Sequence, residues 1–383
     1  MENNDKKRDY QICKRCVMDA TDPDIVFDEN GICNNCKDYF EKEKKIVFKG
    51  EEGKREIEEI VDKIKKDGKN KKYDCILGLS GGADSSYVAY LAKKWDLRVL
   101  LVHVDNSWNS EISEKNVHYI VERTGFDYCK YQLDWEEFRD LQIAYLKASV
   151  MDIEVITDHA IKAAIYDIAS KNGIKYILSG SNIATEGIMP KSWVHTKEDL
   201  RNLEAIHKRY GEIKLKTYPK MGLSKFVSYI LLKGIQNVAP LDYIEYNRKE
   251  AKRTLQSEFG WEDYGGKHSE SIFTRFYQGY ILPRKFNIDK RKAHFSTLIC
   301  SGQTTREEAL KELGKPFYKK NELERDKKYV LEKLNLSEKD FEEFMKLPIR
   351  RHEEYGTNER IYSLLRRLKV LYTALFPRAS LPL

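Results

Sequence analysis

The sequence has no long apolar run. Its longest, such as F-V-S-Y-I-L-L over 226–232, fall far short of the roughly 20 residues that a bilayer span needs. Met1–Tyr10 is polar and charged, so no secretory signal is expected, and the expected compartment is the cytoplasm. Charge of one sign is also scarce: 68 Lys and Arg against 61 Asp and Glu leave +7. That bias suits anionic small substrates and is too weak alone to argue for nucleic acid. Cysteine is sparse beyond residue 36. Only Cys75, Cys129 and Cys300 lie further on, scattered and without a C-x-x-C, which does not make a disulfide framework. A chain of 383 residues is long enough for two or three domains with a sizeable core.

What the sequence does have is a stretch around which the rest is organised, Tyr73–Ser86, reading Y-D-C-I-L-G-L-S-G-G-A-D-S-S. A short apolar run, Cys75–Leu79, predicts a buried strand. Ser80-Gly81-Gly82-Ala83-Asp84-Ser85-Ser86 predicts a turn, and a helical pattern follows over Tyr87–Lys94. Strand, glycine-rich turn and helix N-terminus together make an anion cradle. Glycines let backbone N–H groups approach phosphate oxygens, and the helix dipole adds positive potential. Ser80, Ser85 and Ser86 add hydroxyl donors. No lysine follows the glycines, so this is not the loop G-x-x-x-x-G-K-S/T.

Cys13-x-x-Cys16 and Cys33-x-x-Cys36, sixteen residues apart, have the spacing of a structural zinc site. A short strand at Ile25–Phe27 and a turn at Asp28-Glu29-Asn30-Gly31 lie between the pairs, which is a zinc-ribbon pattern. Four-cysteine ribbons favour zinc over an iron–sulfur cluster. The charged stretch 41–72 is expected to be one amphipathic helix, since Ile57, Ile60, Val61 and Ile64 recur at helical spacing, with its charge on a solvated face.

From Tyr73 onward strands alternate with helices. Strands are expected at Arg98–Val104, Phe126–Leu133 and Ile174–Leu178, and helices at Glu111–Arg123 and Asp158–Lys171. This predicts an α/β fold with a parallel sheet and right-handed crossovers, in which ligands bind at the carboxyl ends of the strands. Three loops then align: Ser80–Ser86, His103–Asn106 and Ser179–Asn182. Thr157 reads as a helix N-cap. Asp158 either stabilises that helix dipole or, with His159, serves substrate or Mg²⁺. The basic stretch beyond Trp261 mixes Arg275, Arg284, Lys285 and Asp289-Lys290-Arg291-Lys292-Ala293-His294 with aromatics. It suits nucleotide phosphates, nucleic acid or a solvated helix face. A capping box is expected at Thr305-x-x-Glu308, and 307–383 should be mostly helical, capping the core or forming a contact in a homo-oligomer.

S-G-G-x-D-S after a strand resembles the PP-loop of the ATP pyrophosphatase superfamily. Its members cleave ATP between the α and β phosphates, adenylate a carbonyl-type oxygen and displace AMP with a nucleophile. The resemblance implies that Ser80, Gly81, Gly82, Asp84, Ser85 and Ser86 hold the phosphates. It implies adenine at His103, Val104 and Asp105, and a nucleotide-lining turn at Gly180, Ser181 and Asn182. Superfamily members often carry Thr-Gly-His-x-x-Asp-Asp at that turn, from which this sequence departs, and a metal carboxylate carries over only to Glu186. Ala239-Pro240-Leu241 with Asn247-Arg248-Lys249-Glu250 resembles the P-L…K-x-E stretch that follows the core.

Nearly the whole chain resembles the N-acetyl sugar amidotransferase family of surface-polysaccharide and flagellin-glycan biosynthesis. The carriers are the Cys13–Cys36 ribbon, the 79–86 loop, Thr157-Asp158-His159-Ala160, Tyr264-Gly265-Gly266-Lys267-His268 and 289–294. The resemblance implies an N-terminal zinc ribbon (1–48), a PP-loop core (49–250) and a helical C-terminal substrate region (251–383). It implies ATP and catalytic Mg²⁺, structural Zn²⁺ on Cys13, Cys16, Cys33 and Cys36, and a nucleotide-linked N-acetyl sugar as substrate. Asp84, Asp158, His159, Lys267, His268, Arg275 and Lys292 are its candidate catalytic residues, with Lys267, Arg275 or Lys292 steadying charge at phosphorus. Glu2 follows Met1 where one glutaminase class has its cysteine, and Cys300 lacks the first glycine of a G-x-C-x-G elbow. A separate glutaminase subunit is therefore the expected ammonia source. The alternative is a PP-loop tRNA-thiolation enzyme, against which stand the missing C-x-x-C beyond the ribbon and the lack of an RNA-binding module.

Overall fold

Five short strands form one parallel sheet in the order β3-β2-β1-β4-β5, with β1 at Cys75–Gly78, β2 at Val99–Asp105, β3 at Asp127–Gln132, β4 at Tyr176–Leu178 and β5 at Gln236–Val238. The computed structural model describes residues 9–266 and 270–365. In β1, Cys75 to Gly78 pair with Val99 to Val102 on one side, and Ile76 and Leu77 pair with Ile177 and Leu178 on the other. The continuous apolar runs of β1, β2 and β4 reflect burial on both faces. β5 escapes sequence reading because it is three partly polar residues at a sheet edge. The chain steps outward from β1 in one direction through β2 and β3, then returns to the other side through β4 and β5. The crevice of this switch lies between the carboxyl ends of β1 and β4.

Alternate strand residues feed opposite faces. The helices are α1 Asn34–Ile46, α2 Gly50–Gly68, α3 Ala83–Lys94, α4 Glu111–Thr124, α5 Trp135–Ala148 and α6 Val155–Lys171, followed by shorter ones. Leu77, Leu101 and Leu178 pack with α2, α3, α4 and the segment Leu255–Trp261. Ile76, Leu100, Val102 and Ile177 pack against Ala163, Ile165 and Ala169 of α6. A third cluster joins the four ribbon cysteines to α5, Trp193 and the helices beyond Ile272.

Three local expectations change. The 41–72 helix is two helices, because Val47 is extended and Phe48 docks onto the core. Phe48 N–H donates to Asp242 O at 2.9 Å, and its ring stacks on Tyr243 at 5.3 Å. The helix expected from Asp158 begins at Val155, so its N-cap position is Glu154 and not Thr157, whose hydroxyl meets Asn106 Nδ2 at 3.4 Å. Between the cysteine pairs, pairing shrinks to a single bridge, Phe27 with Cys33, beside a turn in which Asp28 Oδ1 accepts from Asn30 and Ile32 N–H. The Thr305–Glu308 capping box is present.

Glu154 gives a pH prediction. Burial, and then the neighbouring Asp158 charge, push its carboxyl from 4.5 up to about 7, against the opposing pull of Lys290, Thr274 and Lys197. The folded state therefore holds a proton that the unfolded chain releases near 4.5. Stability is fully present below that value and falls as pH rises toward 7, by at most about 3 kcal/mol at about 1.4 kcal/mol per pH unit. Glu154→Gln keeps an acceptor for Thr274 Oγ1, which donates to Glu154 at 2.9 Å. The variant should match the parent at pH 4.5 and exceed it at pH 8 in urea denaturation. Equal stabilities at both values would show that Glu154 ionises freely.

Candidate active site

The β1–α3 turn is built as the sequence implies. Gly81 adopts φ +79°, and a Cβ there would sit 2.6 Å from Ser113 O. The loop carbonyls are held from behind: Ser113 Oγ donates to Ser80 O at 2.9 Å and Trp261 Nε1 to Gly81 O at 3.0 Å. Among the described residues the forward amides meet hydroxyls, at long range. Ser80 N–H reaches Ser85 Oγ at 3.3 Å, Gly82 N–H reaches Ser80 Oγ at 3.2 Å, and Ala83 N–H reaches the Tyr264 hydroxyl at 3.3 Å. Phosphate oxygens are stronger acceptors and would displace such partners. Ser86 Oγ is buried with no partner among the described residues. The β4 turn comes so close that a Cβ on Gly180 would lie 2.7 Å from Ser85 N.

These two turns enclose a cavity of about 200 Å³ lined by Ser80, Gly82, Asp84, Ser85, Gly180 and Ser181, with Glu186, Arg248, Tyr264 and Glu270 across from them. Asp84 accepts from the Tyr246 hydroxyl and, at 3.3 Å, from Thr185 Oγ1. Asn182 caps the next short helix by accepting from Thr185 N–H at 2.8 Å. At the end of β2, His103 Nδ1 lies 2.7 Å from Leu79 O, and Asp105 pairs with Lys130 at 2.7 Å. The cradle and the cavity-lining carboxylates Asp84, Glu186 and Glu270 fit a triphosphate with Mg²⁺.

Arg248, quoted above only within the P-L…K-x-E-like stretch, is not among the expected site residues. Its Nε is buried without a hydrogen-bond partner among the described residues. Burial works against its charge, but Asp84, Tyr264, Tyr246 and Glu270 more than offset this and raise its pKa above the ordinary value. Arg248 and Tyr264 also line a second, larger cavity of about 490 Å³, walled by Arg291, His294, Phe295 and Leu298 of one helix and by Phe317 and Tyr318. The signal was available: Arg248-Lys249-Glu250 satisfies a basic-x-Glu pattern once Arg248 replaces Lys249 as its first member.

The other expected residues scatter. Arg275 lines the larger cavity, but its fork is taken by Asp326 at 2.7 and 2.9 Å. Lys292 points into the ribbon, on Asp19 at 2.5 Å. Asp158 pairs with Lys197 at 3.2 Å. His159 is buried, its Nδ1 on Lys197 O at 2.8 Å and its Nε2 accepting from Met221 N–H at 3.1 Å. Burial lowers its pKa, so the ring is a neutral packing element. Neither Asp158 nor His159 lines either of these two cavities. Lys267 and His268 lie outside the described residues.

The four ribbon cysteines are fully buried with their sulfurs within 4.8 Å of one another. Cys13–Cys36 and Cys16–Cys33 are 3.9 and 3.7 Å apart. A tetrahedron with Zn–S of about 2.3 Å has edges of about 3.8 Å. Cys33 and Cys16 N–H donate to Cys13 Sγ and Met18 N–H to Cys16 Sγ, a pattern that steadies thiolates. The donor set fits Zn²⁺.

Comparison with known proteins bears on both halves. Residues 55–190 match the NAD synthase family, and residues 270–369 match the LPS biosynthesis protein WbpG-like, C-terminal domain. No curated protein matches the chain. Among solved structures, an NH3-dependent NAD synthetase from Campylobacter jejuni is 16% identical, over 54% of this chain and 85% of that one, with a TM-score of 0.29. NMN synthetase from Francisella tularensis is 14% identical over 54% and 95%, at 0.28. A predicted subunit of tRNA methyltransferase from Methanocaldococcus jannaschii is 15% identical over 48% and 75%, also at 0.28. Among the described residues no helix is long and apolar enough to cross a membrane. The loop and the NAD synthase match support an ATP-dependent C–N ligase, and the second match ties that amidation role to LPS biosynthesis. An NAD-synthase-type PP-loop domain followed by a WbpG-like domain in one chain supports an LPS-related PP-loop amidotransferase family for this protein.

Proposed function

We propose that the protein converts the acetamido group of a nucleotide-linked N-acetyl sugar into an acetamidino group, using ATP and ammonia. The observation that carries this is the pair of cavities sharing Arg248 and Tyr264: a small one on the PP-loop and a larger one walled by the WbpG-like region. An amide carbon is a poor electrophile. Its oxygen attacks the α-phosphorus of ATP, forming an O–P bond as the bond to the β-phosphate oxygen breaks and pyrophosphate leaves. Ammonia then adds to the activated carbon, the C–O bond breaks, AMP departs, and the nitrogen loses a proton.

The chain's own residues have separate tasks in this reading. The amides of Ser80–Ser86 and the α3 dipole hold the triphosphate. Gly180 and Ser181 line the nucleotide side, with Asn182 next to them, and His103, Val104 and Asp105 are the residues assigned to adenine in this proposal. Arg248, at the junction, faces both the phosphate and the acceptor and is placed to steady charge developing at phosphorus. Mg²⁺, when bound on Asp84, Glu186 or Glu270, neutralises phosphate charge.

Ammonia would come from a separate glutaminase subunit. Cys300 is occupied at the ribbon, 3.8 Å from Cys36. The purified chain should consume ATP with an acceptor and ammonium, and should release no ammonia from glutamine alone. Ammonia production from glutamine by the single chain would contradict the partner requirement.

A further inference from the structure

We infer that the metal ribbon is the positioning device for the acceptor cavity, acting through the helix Lys290–Cys300. That helix has two working faces. Arg291, His294, Phe295 and Leu298 line the 490 Å³ cavity. Lys292, Ser296 and Cys300, spaced by four, fall on the side roughly opposite, at about 100° per residue. Each of these three meets the ribbon. Lys292 Nζ pairs with the fully buried Asp19 at 2.5 Å. Ser296 Oγ accepts from Val17 N–H at 3.1 Å. Cys300 Sγ lies 3.8 Å from Cys36 Sγ.

A fourth tie follows just beyond the helix. Arg306 Nε donates to Cys13 O at 3.2 Å and to Cys16 O at 3.0 Å, the carbonyls of the first metal-binding knuckle. Thr297 Oγ1 accepts from Ile188 N–H at 3.0 Å, which binds the same helix to the stretch after the β4 turn. The PP-loop makes none of these contacts. Its supports are Ser113, Asn116, Trp261 and Tyr264. Order in the ribbon thus reaches the wall of the larger cavity directly through this helix, and the triphosphate side only through the stretch at Ile188, not through the 80–86 turn. Lys292 and Ser296 are positioning residues: they fix the register and tilt at which Arg291, His294 and Phe295 face an acceptor.

The test uses the full-length zinc-loaded chain and the double variant Asp19→Asn/Lys292→Met, which removes both charges so that neither is left buried alone. Ser296→Ala is the milder companion if the double variant folds poorly. Three quantities are read: zinc content, amide hydrogen exchange over 290–300, and binding of two probes, Mg-ATP and UDP-N-acetylglucosamine. Zinc should stay at one per chain, exchange over 290–300 should quicken, and the sugar-nucleotide probe should bind about tenfold more weakly, with Mg-ATP unchanged within about twofold. Chelating the zinc from the parent should reproduce the same split. Unchanged exchange over 290–300, or an equal loss for both probes, would overturn the inference. Treating the larger cavity as the acceptor site rests on the proposed function, whereas the exchange measurement does not. A parent that ignores the sugar probe but shows the exchange change would count against the substrate reading and leave the ribbon's role standing.

Discussion

Replacing Arg248 with methionine should lower acceptor-dependent AMP formation by about a hundred- to a thousandfold, the cost of losing one preorganised charge-stabilising donor. The side chain makes no hydrogen bond through its buried Nε among the described residues, so urea denaturation of the variant is run beside the rate to separate lost folding from lost chemistry. The charge is nonetheless held: Asp84 and Glu270 keep the guanidinium protonated against burial. A cation whose Nε has no hydrogen-bond partner among the described residues, on the wall common to both cavities, is matched to something that arrives. Arg248→Lys retains the charge without the planar fork and should recover part of the rate. Steady-state AMP release at saturating ATP is the readout, and a parental rate in Arg248→Met would remove Arg248 from the chemistry.

The second large effect is expected at Gly81. Gly81 and Gly125 both have positive φ, +79° and +70°, so alanine costs about 1–2 kcal/mol of backbone strain at either. They differ in surroundings. At Gly125 a Cβ would meet nothing within 4 Å, whereas at Gly81 it would meet the Ser113 carbonyl and hydroxyl at 2.6 and 2.8 Å. Backbone cannot yield like a flexible side chain, so the Gly81 turn must shift, and a shift of about 1 Å at a reacting phosphate costs about a hundredfold in rate. Gly125→Ala should lose stability only. Gly81→Ala should lose stability and nearly all ATP turnover. Matching activities in the two variants would mean that the 80–86 turn does not hold the reacting phosphates.

The sequence made β1, β2 and β4 legible because their apolar runs are bounded by strong turns, β3 although it is polar and largely exposed, and the 80–86 loop because strand, glycines, serines and helix coincide. The ribbon was legible from cysteine spacing alone. The helix break at Val47–Lys49 was not, since it is set by Phe48 finding Tyr243, almost two hundred residues away in sequence. The same distance concealed that Arg248 and Tyr264, quoted above only within motifs, and Tyr246 are folded over the loop by tertiary packing. The basic stretch misleads in the opposite way. Charge in sequence says nothing of partners, and Arg275, Arg291 and Lys292 are paired with Asp326, Asp289 and Asp19. Arg275 and Arg291 therefore shape the larger cavity as fixed ion pairs, while Lys292 serves the ribbon.

Phosphorus-31 NMR of ATP incubated with the protein, Mg²⁺, ammonium and a panel of nucleotide-linked N-acetyl sugars reads the bond that breaks. Acceptor-dependent appearance of AMP and pyrophosphate, matched by the small mass decrease of an oxygen-to-NH exchange in one sugar, is the predicted result. ADP and orthophosphate as products, or AMP formed at the same rate without any acceptor, would contradict a PP-loop that directs the α-phosphorus at an amide oxygen.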